Sequence, residues 1–216
     1  MIVYFCALTI SGMNYITSHT GEFAALAVAI FWTVTALAFE SASRKVGSLT
    51  VNILRLALAF FFIGVYTLIA RGHFLPTDAS THNWIWLGLS GIVGLVLGDY
   101  YLFRSYPLIG SRFSMLIMTL APPLAAIFGY FILGESLNIM QMAGMIIVIS
   151  GISLAIFKKP VKGERLSIKI APAGLLFAFI GAIGQGLGIV LSKYGMDGYN
   201  AFASTQIRII AGIAGF

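Results

Sequence analysis

Residues 49–70 read LTVNILRLALAFFFIGVYTLIA, an apolar run broken by a single charge, Arg55. A bilayer core takes about 20 apolar residues per helix, so this stretch has the length and character of a membrane-crossing helix. Five more stretches share that character: residues 23–42, 84–103, 113–133, 139–157 and 170–191. A seventh opens at Ala201 and is still apolar at Phe216. Too few residues follow Ala201 to cross a bilayer, and Arg208 stands in their middle, so the expectation is a chain truncated at its C-terminus.

Composition agrees. Hydrophobic residues make up 59% and charged residues 9% of the chain, against about 25% charged in soluble domains. The fold class is therefore an all-α integral membrane bundle with several spans. The connections are short and carry breakers or charges, as at Arg44-Lys45-Val46-Gly47, Arg71-Gly72-His73 and Gly134-Glu135-Ser136. Links this tight make neighbouring helices antiparallel and leave no room for a soluble domain. Residues 1–20 form a tail of undecided status, with Met1 and Met13 as alternative starts, and residues 158–169 form a basic linker.

Several function classes fall away. The single cysteine, Cys6, provides neither an intrachain disulfide nor a cysteine-based metal cluster. His19, His73 and His82 lie outside the spans without ligand spacing, so no metal site is expected. There is no phosphate-cradling Gly-Lys-Ser/Thr sequence, no grouped Asp or His at a membrane boundary, and hence no expected cofactor, catalytic residue or enzymatic activity. The net charge of +6 comes from basic residues between the spans, which act as topology signals and not as a nucleic-acid surface. Loops after odd-numbered spans hold Arg44, Lys45, Arg104, Arg112, Lys158, Lys159, Lys162, Arg165 and Lys169. Loops after even-numbered spans hold only Arg71 and Lys193. This bias puts the odd loops in the cytoplasm and the N-terminus outside.

Inside the spans, small residues recur at helical spacing: Gly88, Gly91, Gly94 and Gly98 in span three, and Gly181, Gly184 and Gly188 in span six. They predict close helix packing, which in lipid replaces the hydrophobic drive, and they also suit helices that slide or rock. Pro122-Pro123 removes two backbone donors from span four and predicts a break beside a substrate path or a plain bend. The ionisable groups within the spans are Glu40, Arg55, Asp99 and Arg208. Such groups are costly in hydrocarbon and tend to be paired or functional. Glu40 has Arg44 four residues on. Asp99 and Arg55 sit at similar depth, roughly 7 Å and 9 Å from span ends that open on the same side. They are expected to face one another or to share a network with Tyr100 or Tyr101, as a structural pair or in gating. Trp32 and Gln185 lie near the middle of spans one and six, with packing and substrate contact both open.

These pieces resemble the EamA-type members of the drug/metabolite transporter superfamily. The stretches that carry the resemblance are Gly21-Glu22-Phe23-Ala24-Ala25-Leu26 through Trp32, Asn52-Ile53-Leu54-Arg55-Leu56, and Trp86-Leu87-Gly88-Leu89-Ser90-Gly91 with Gly98-Asp99. Further along come Leu120-Ala121-Pro122-Pro123-Leu124-Ala125-Ala126, then Leu133-Gly134-Glu135-Ser136-Leu137 and Gln141-Met142-Ala143-Gly144. The resemblance implies ten helices in two five-helix repeats of inverted topology. Residues 21–157 would be the first repeat and residues 170–216 the start of the second. Laying Arg55 over Arg208 aligns Ala25 with Ala178 and Ala29 with Ala182; identity is near chance, and the pattern of an Arg early in the following helix is the better support. The resemblance also implies cytoplasmic termini, against the charge bias, so orientation stays open.

The function expected is secondary transport or export of a small organic metabolite or drug by alternating access, in the plasma (inner) membrane. The substrate would lie among spans one, three, four and six, along a path including Trp32, Arg55, Asp99, Tyr100, Tyr101, Pro122, Pro123 and Gln185. The partners are the lipid bilayer and the solute, with no nucleic acid, and with a second copy as a homodimer if the chain acts at this length. The alternative is a non-transporting membrane scaffold or subunit.

Overall fold

The structure is a computed structural model that describes residues 20–157 and 171–216. Residues 1–19 of the expected tail, both candidate starts and the basic linker lie outside the described residues. The chain divides into two compact units, Met1–Ala38 and Phe39–Phe216. Among the described residues every regular element is a helix: α1 Thr20–Val46, α2 Ser48–Arg71, α3 Thr81–Gly91, a π-helix at Ile92–Gly98, α4 Asp99–Met118, α5 Ala121–Leu133, α6 Ile139–Phe157, α7 Pro172–Met196 and α8 Ala201–Ala214. The first unit contains the N-terminal part of α1, where Thr33 and Thr35 each donate to a carbonyl one turn back, which satisfies these two hydroxyls in an apolar setting.

Among the described residues four stretches are long and apolar enough to cross a membrane: Leu26–Val46, Ser48–Arg71, Thr81–Met118 and Pro172–Met196. Thr81–Met118 is too long for one crossing, and the reason is Gly110. Its φ of 78° is a left-handed conformation that only glycine adopts cheaply, and it folds the chain back within one residue. Span three therefore runs helically past Pro107 to Ile109, further than its expected end at Phe103. Span four consists of residues 111–118 followed by α5. The two legs lie antiparallel, with Ser105 and Ser114 hydroxyls 2.7 Å apart and Tyr106 Oη 3.5 Å from Met115 Sδ.

Side chains from other helices satisfy the backbone groups that this tight hairpin leaves free. Pro107 has no N–H to offer the Phe103 carbonyl, and the Ser48 hydroxyl donates to that carbonyl at 2.9 Å. The N–H of Ser111, at the start of the returning leg, donates to Glu40 Oε2 at 2.8 Å, while Glu40 Oε1 takes Arg44 at 2.9 Å. The expected Glu40–Arg44 pair is thus only half of what Glu40 does: it also caps a helix about 70 residues away. Replacing Glu40 by Ala is expected to cost about 1–2 kcal/mol, as the loss of an N-cap does. Glu40→Gln keeps an acceptor and should lose less than half of that, read as the shift in thermal unfolding midpoint in detergent.

The break in span four falls at Thr119–Leu120, just ahead of the prolines. Pro122 and Pro123 occupy the first turn of α5, where missing N–H groups cost least. The diproline is thus a helix start, and the bend lies before it.

Around the rim, end caps hold the loops. Ser80 and Asn83 form a reciprocal capping box at the start of α3, and Asn83 Nδ2 also donates to the terminal carbonyl of Gly195 at 2.7 Å. Asn200 accepts from the N–H groups of Phe202 and Ala203 and starts α8. Apolar side chains such as Ile69, Phe131, Ile139 and Ile147 point outward, the arrangement for a bundle solvated by lipid tails.

α7 is the central column of the second unit, packed against α3, the π-helix, α4 and α5. Its glycines make this possible. A Cβ at Gly184 would lie 2.8 Å from Gly98 Cα, and one at Gly188 would lie 2.8 Å from Gly94 Cα. The backbones cross with no side chain between them. The glycine row of span three is not one packing face, however. Gly94 and Gly98 meet α7, Gly91 meets the backbone of α8 at Arg208, and at Gly88 the nearest neighbour of an added Cβ is 3.9 Å away.

Candidate functional site

The polar centre of the second unit is built around the π-helix. A π turn widens the helix by one residue, so the Asp99 N–H reaches back five positions to the Gly94 carbonyl. The loosened carbonyls then take side-chain donors. Asn52 Nδ2 from α2 donates to Leu95 O at 3.2 Å, and Gln185 Nε2 from α7 donates to Gly94 O at 3.2 Å. Segments of this kind in α-helices are frequent at functional sites.

Asp99 is the first residue after this segment and is 4% exposed, so its carboxylate needs partners. It has two. Arg55 Nη2 forms an ion pair with Oδ2, and Gln185 Nε2 donates to Oδ1. Arg55 is itself positioned by Asn52 Oδ1 at 2.9 Å and lies over the Phe103 ring, 5.2 Å from its centroid. Four side chains from three helices thus hold one another in place: Asn52 and Arg55, Asp99, and Gln185.

Of the residues singled out in the sequence, the structure brings Arg55, Asp99 and Gln185 together. Tyr100 and Tyr101 stand apart. Tyr100 Oη accepts from Arg104 at 3.2 Å, and the Tyr101 ring stacks at 5.6 Å from Phe177. Neither is hydrogen-bonded to Asp99 or Arg55 among the described residues. Trp32 lies on α1 in the first unit. Pro122 and Pro123 line a separate open groove of about 360 Å³ between α5 and α6, together with Ala126, Glu135, Gln141 and Met145. At the mouth of that groove Glu135 pairs with Lys193 near the end of α7. The groove and the Asp99 network share no residue.

Asn52 and Arg208 join the site without having been counted in it. Asn52 precedes Arg55 by three residues, a helical spacing that could have flagged it. Arg208 is the eighth residue of α8, as Arg55 is of α2, and the two helix starts are separated by the same 153 residues as the two arginines. α2 and α8 run antiparallel. Tyr66 stacks on Phe202 at 4.3 Å between ring centroids, and a Cβ on Gly212 would meet Leu56 at 3.2 Å.

At the end of the bundle reached by α2, Arg71 Nη2 contacts Asp78 Oδ2 at 2.5 Å and Tyr199 Oη donates to Asp78 Oδ1 at 2.8 Å. The Tyr199 hydrogen bond, helped by the Arg71 charge, holds the Asp78 carboxyl below its usual pKa. This cluster joins the loop after α2 to the loop after α7.

A bundle of membrane-length helices with an ion-paired carboxylate inside has the make-up of a membrane transport protein. The EamA-like transporter family matches residues 19–157, and the chain belongs to that family. It is a multi-pass membrane protein of the drug/metabolite transporter superfamily, whose members are transporters. No curated protein and no solved structure matches the chain.

Proposed function

We propose that the protein is a secondary transporter or exporter of small organic metabolites or drugs, working by alternating access between inverted halves in the plasma (inner) membrane. The observation that carries this reading is the Asp99 network. A buried carboxylate is shared between α2 and α7 at a π-helix, beside an antiparallel helix carrying an arginine at the position equivalent to Arg55. Under this reading residues 21–157 are the first repeat, and α7 and α8 open the second. Close backbone contacts at Gly184 and Gly188 let α7 approach the π-helix without interlocked side chains there, which suits rocking of one half against the other.

The test is solute flux in proteoliposomes of the purified protein, with and without a pH gradient, across amino acids, nucleosides, organic carboxylates and phosphates, and cationic drugs. Uptake of at least one class, abolished by Asp99→Asn in correctly folded protein, is the expected result. Flux indifferent to the gradient removes proton coupling and leaves transport standing. No flux for any solute favours the non-transporting scaffold.

A further inference from the structure

Resting on the transporter reading, the charge balance of the site narrows the substrate class. Arg55 and Arg208 bring two guanidinium groups to the π-helix, and Asp99 brings one carboxylate. Arginine does not give up its proton in proteins, so with Asp99 ionised the described residues leave this centre an excess of one positive charge. Asp99 is also committed: one oxygen takes Arg55 and the other takes Gln185. Arg208 has no hydrogen-bond acceptor among the described residues, and its Nε is buried without one, as is the Nε of Arg55.

The position of Arg208 gives that excess charge a setting. Its guanidinium passes over the glycine-lined face of the π-helix, where a Cβ on Gly94 would come within 3.3 Å of Nη2. Gly94 faces Gly184 and Gly188 of α7 across the same spot, where backbone and not side chain lies nearest to it besides Arg208. Arg208 as a whole is partly buried, while its Nε is enclosed. An arginine held in an apolar bundle without a counter-charge attracts an anion, and its planar fork fits a carboxylate or a phosphate ester.

We propose that the site selects small organic anions, with the carboxylate or phosphate of the solute bound by Arg208 and Arg55 next to the Asp99 network. The same chemistry is offered by an anionic lipid headgroup, and the test separates the two sources. Purified full chain is reconstituted in phosphatidylcholine vesicles, and initial uptake is measured for phenylacetate and phenyl phosphate against phenylacetamide and phenethylamine. Anion uptake at least tenfold above the amide and the amine is expected. Arg208→Gln should reduce that ratio to near one, whereas Arg208→Lys should keep most of it. Because the ratio is read first in the unmodified protein, a misfolding variant does not obscure it. Equal or greater uptake of the amide or the amine overturns the anion assignment while transport stands. A ratio unchanged in folded Arg208→Gln overturns the role of Arg208. If 20% phosphatidylglycerol in the vesicles abolishes the anion preference, the site belongs to the headgroup and the solute assignment falls. Absence of flux for the whole broader solute panel is instead a failure of the transporter reading.

Discussion

Asp99→Ala is expected to cost about 3–5 kcal/mol of stability, the usual penalty for stripping one partner from a buried ion pair. The loss is large because it is not confined to one bond. Arg55 loses its counter-charge, Gln185 loses an acceptor, and the two arginines near the π-helix are left without the carboxylate that balances them. Asp99→Asn preserves the shape and an acceptor oxygen, so it should lose about half as much while still removing the charge. A charge swap, Arg55→Asp with Asp99→Arg, separates a simple pair from a network. An isolated pair would be restored. Here, Asn52 presents Oδ1 to position 55 and Gln185 presents Nε2 to position 99, and both amides are locked by bonds to the carbonyls of Leu95 and Gly94. An aspartate at position 55 would meet an acceptor, and an arginine at position 99 would meet a donor. The swap is therefore expected to recover less than half of the stability lost in Asp99→Ala, measured by denaturant titration in mixed micelles. Full recovery would mean that Asn52 and Gln185 are bystanders.

The parts of this arrangement that sequence could reveal are those set by sums along the chain. The spans follow from local apolar content, and the meeting of Arg55 with Asp99 follows from depth, because a helix rises by a fixed amount per residue. What escaped depends on rotation and on distant partners. Tyr100 and Tyr101 neighbour Asp99 in sequence, yet each step turns a helix by about 100°, so adjacent residues leave on different faces. The π-helix at Ile92–Gly98 adds to the rotation by widening one turn, and its sequence, IVGLVLG, has no feature that distinguishes it from an ordinary apolar helix. The extent of span three was also hidden. The span was expected to end at Phe103, and the helix continues past Pro107, where Ser48, remote in sequence, takes up the carbonyl that the proline leaves free. Glu40 is similar: its near partner Arg44 was visible at a spacing of four, and its far partner, the Ser111 N–H, exists only once the chain has turned at Gly110.

The glycines of span three show the same limit and provide the second large effect. In sequence Gly88, Gly91, Gly94 and Gly98 form one periodic set, which predicts similar responses to substitution. In the structure they should respond in opposite directions. A Cβ on Gly91 would lie 2.3 Å from the Arg208 carbonyl oxygen and 3.0 Å from its Cα, so the obstacle is the backbone of α8, which has no rotamer to change. Gly91→Ala must therefore push α8 away from α3, at a cost of about 3 kcal/mol, the upper part of the overpacking range. It also moves the residue that carries the Arg208 charge, so anion uptake should fall at least tenfold in protein that still folds. Gly88, one turn earlier on the same helix, has only the Ala211 methyl group at 3.9 Å, an ordinary contact. There the added methyl group meets open space and relieves the entropic cost of a helical glycine, so Gly88→Ala should be neutral or stabilising by up to about 1 kcal/mol. The pair is read by thermal unfolding in the same detergent, with uptake measured alongside. If the two substitutions were equally harmful, α3 would be packed evenly along this row and α8 would lie further from Gly91 than it does here. If Gly91→Ala lowered stability and left uptake intact, the position of Arg208 would not govern the solute site.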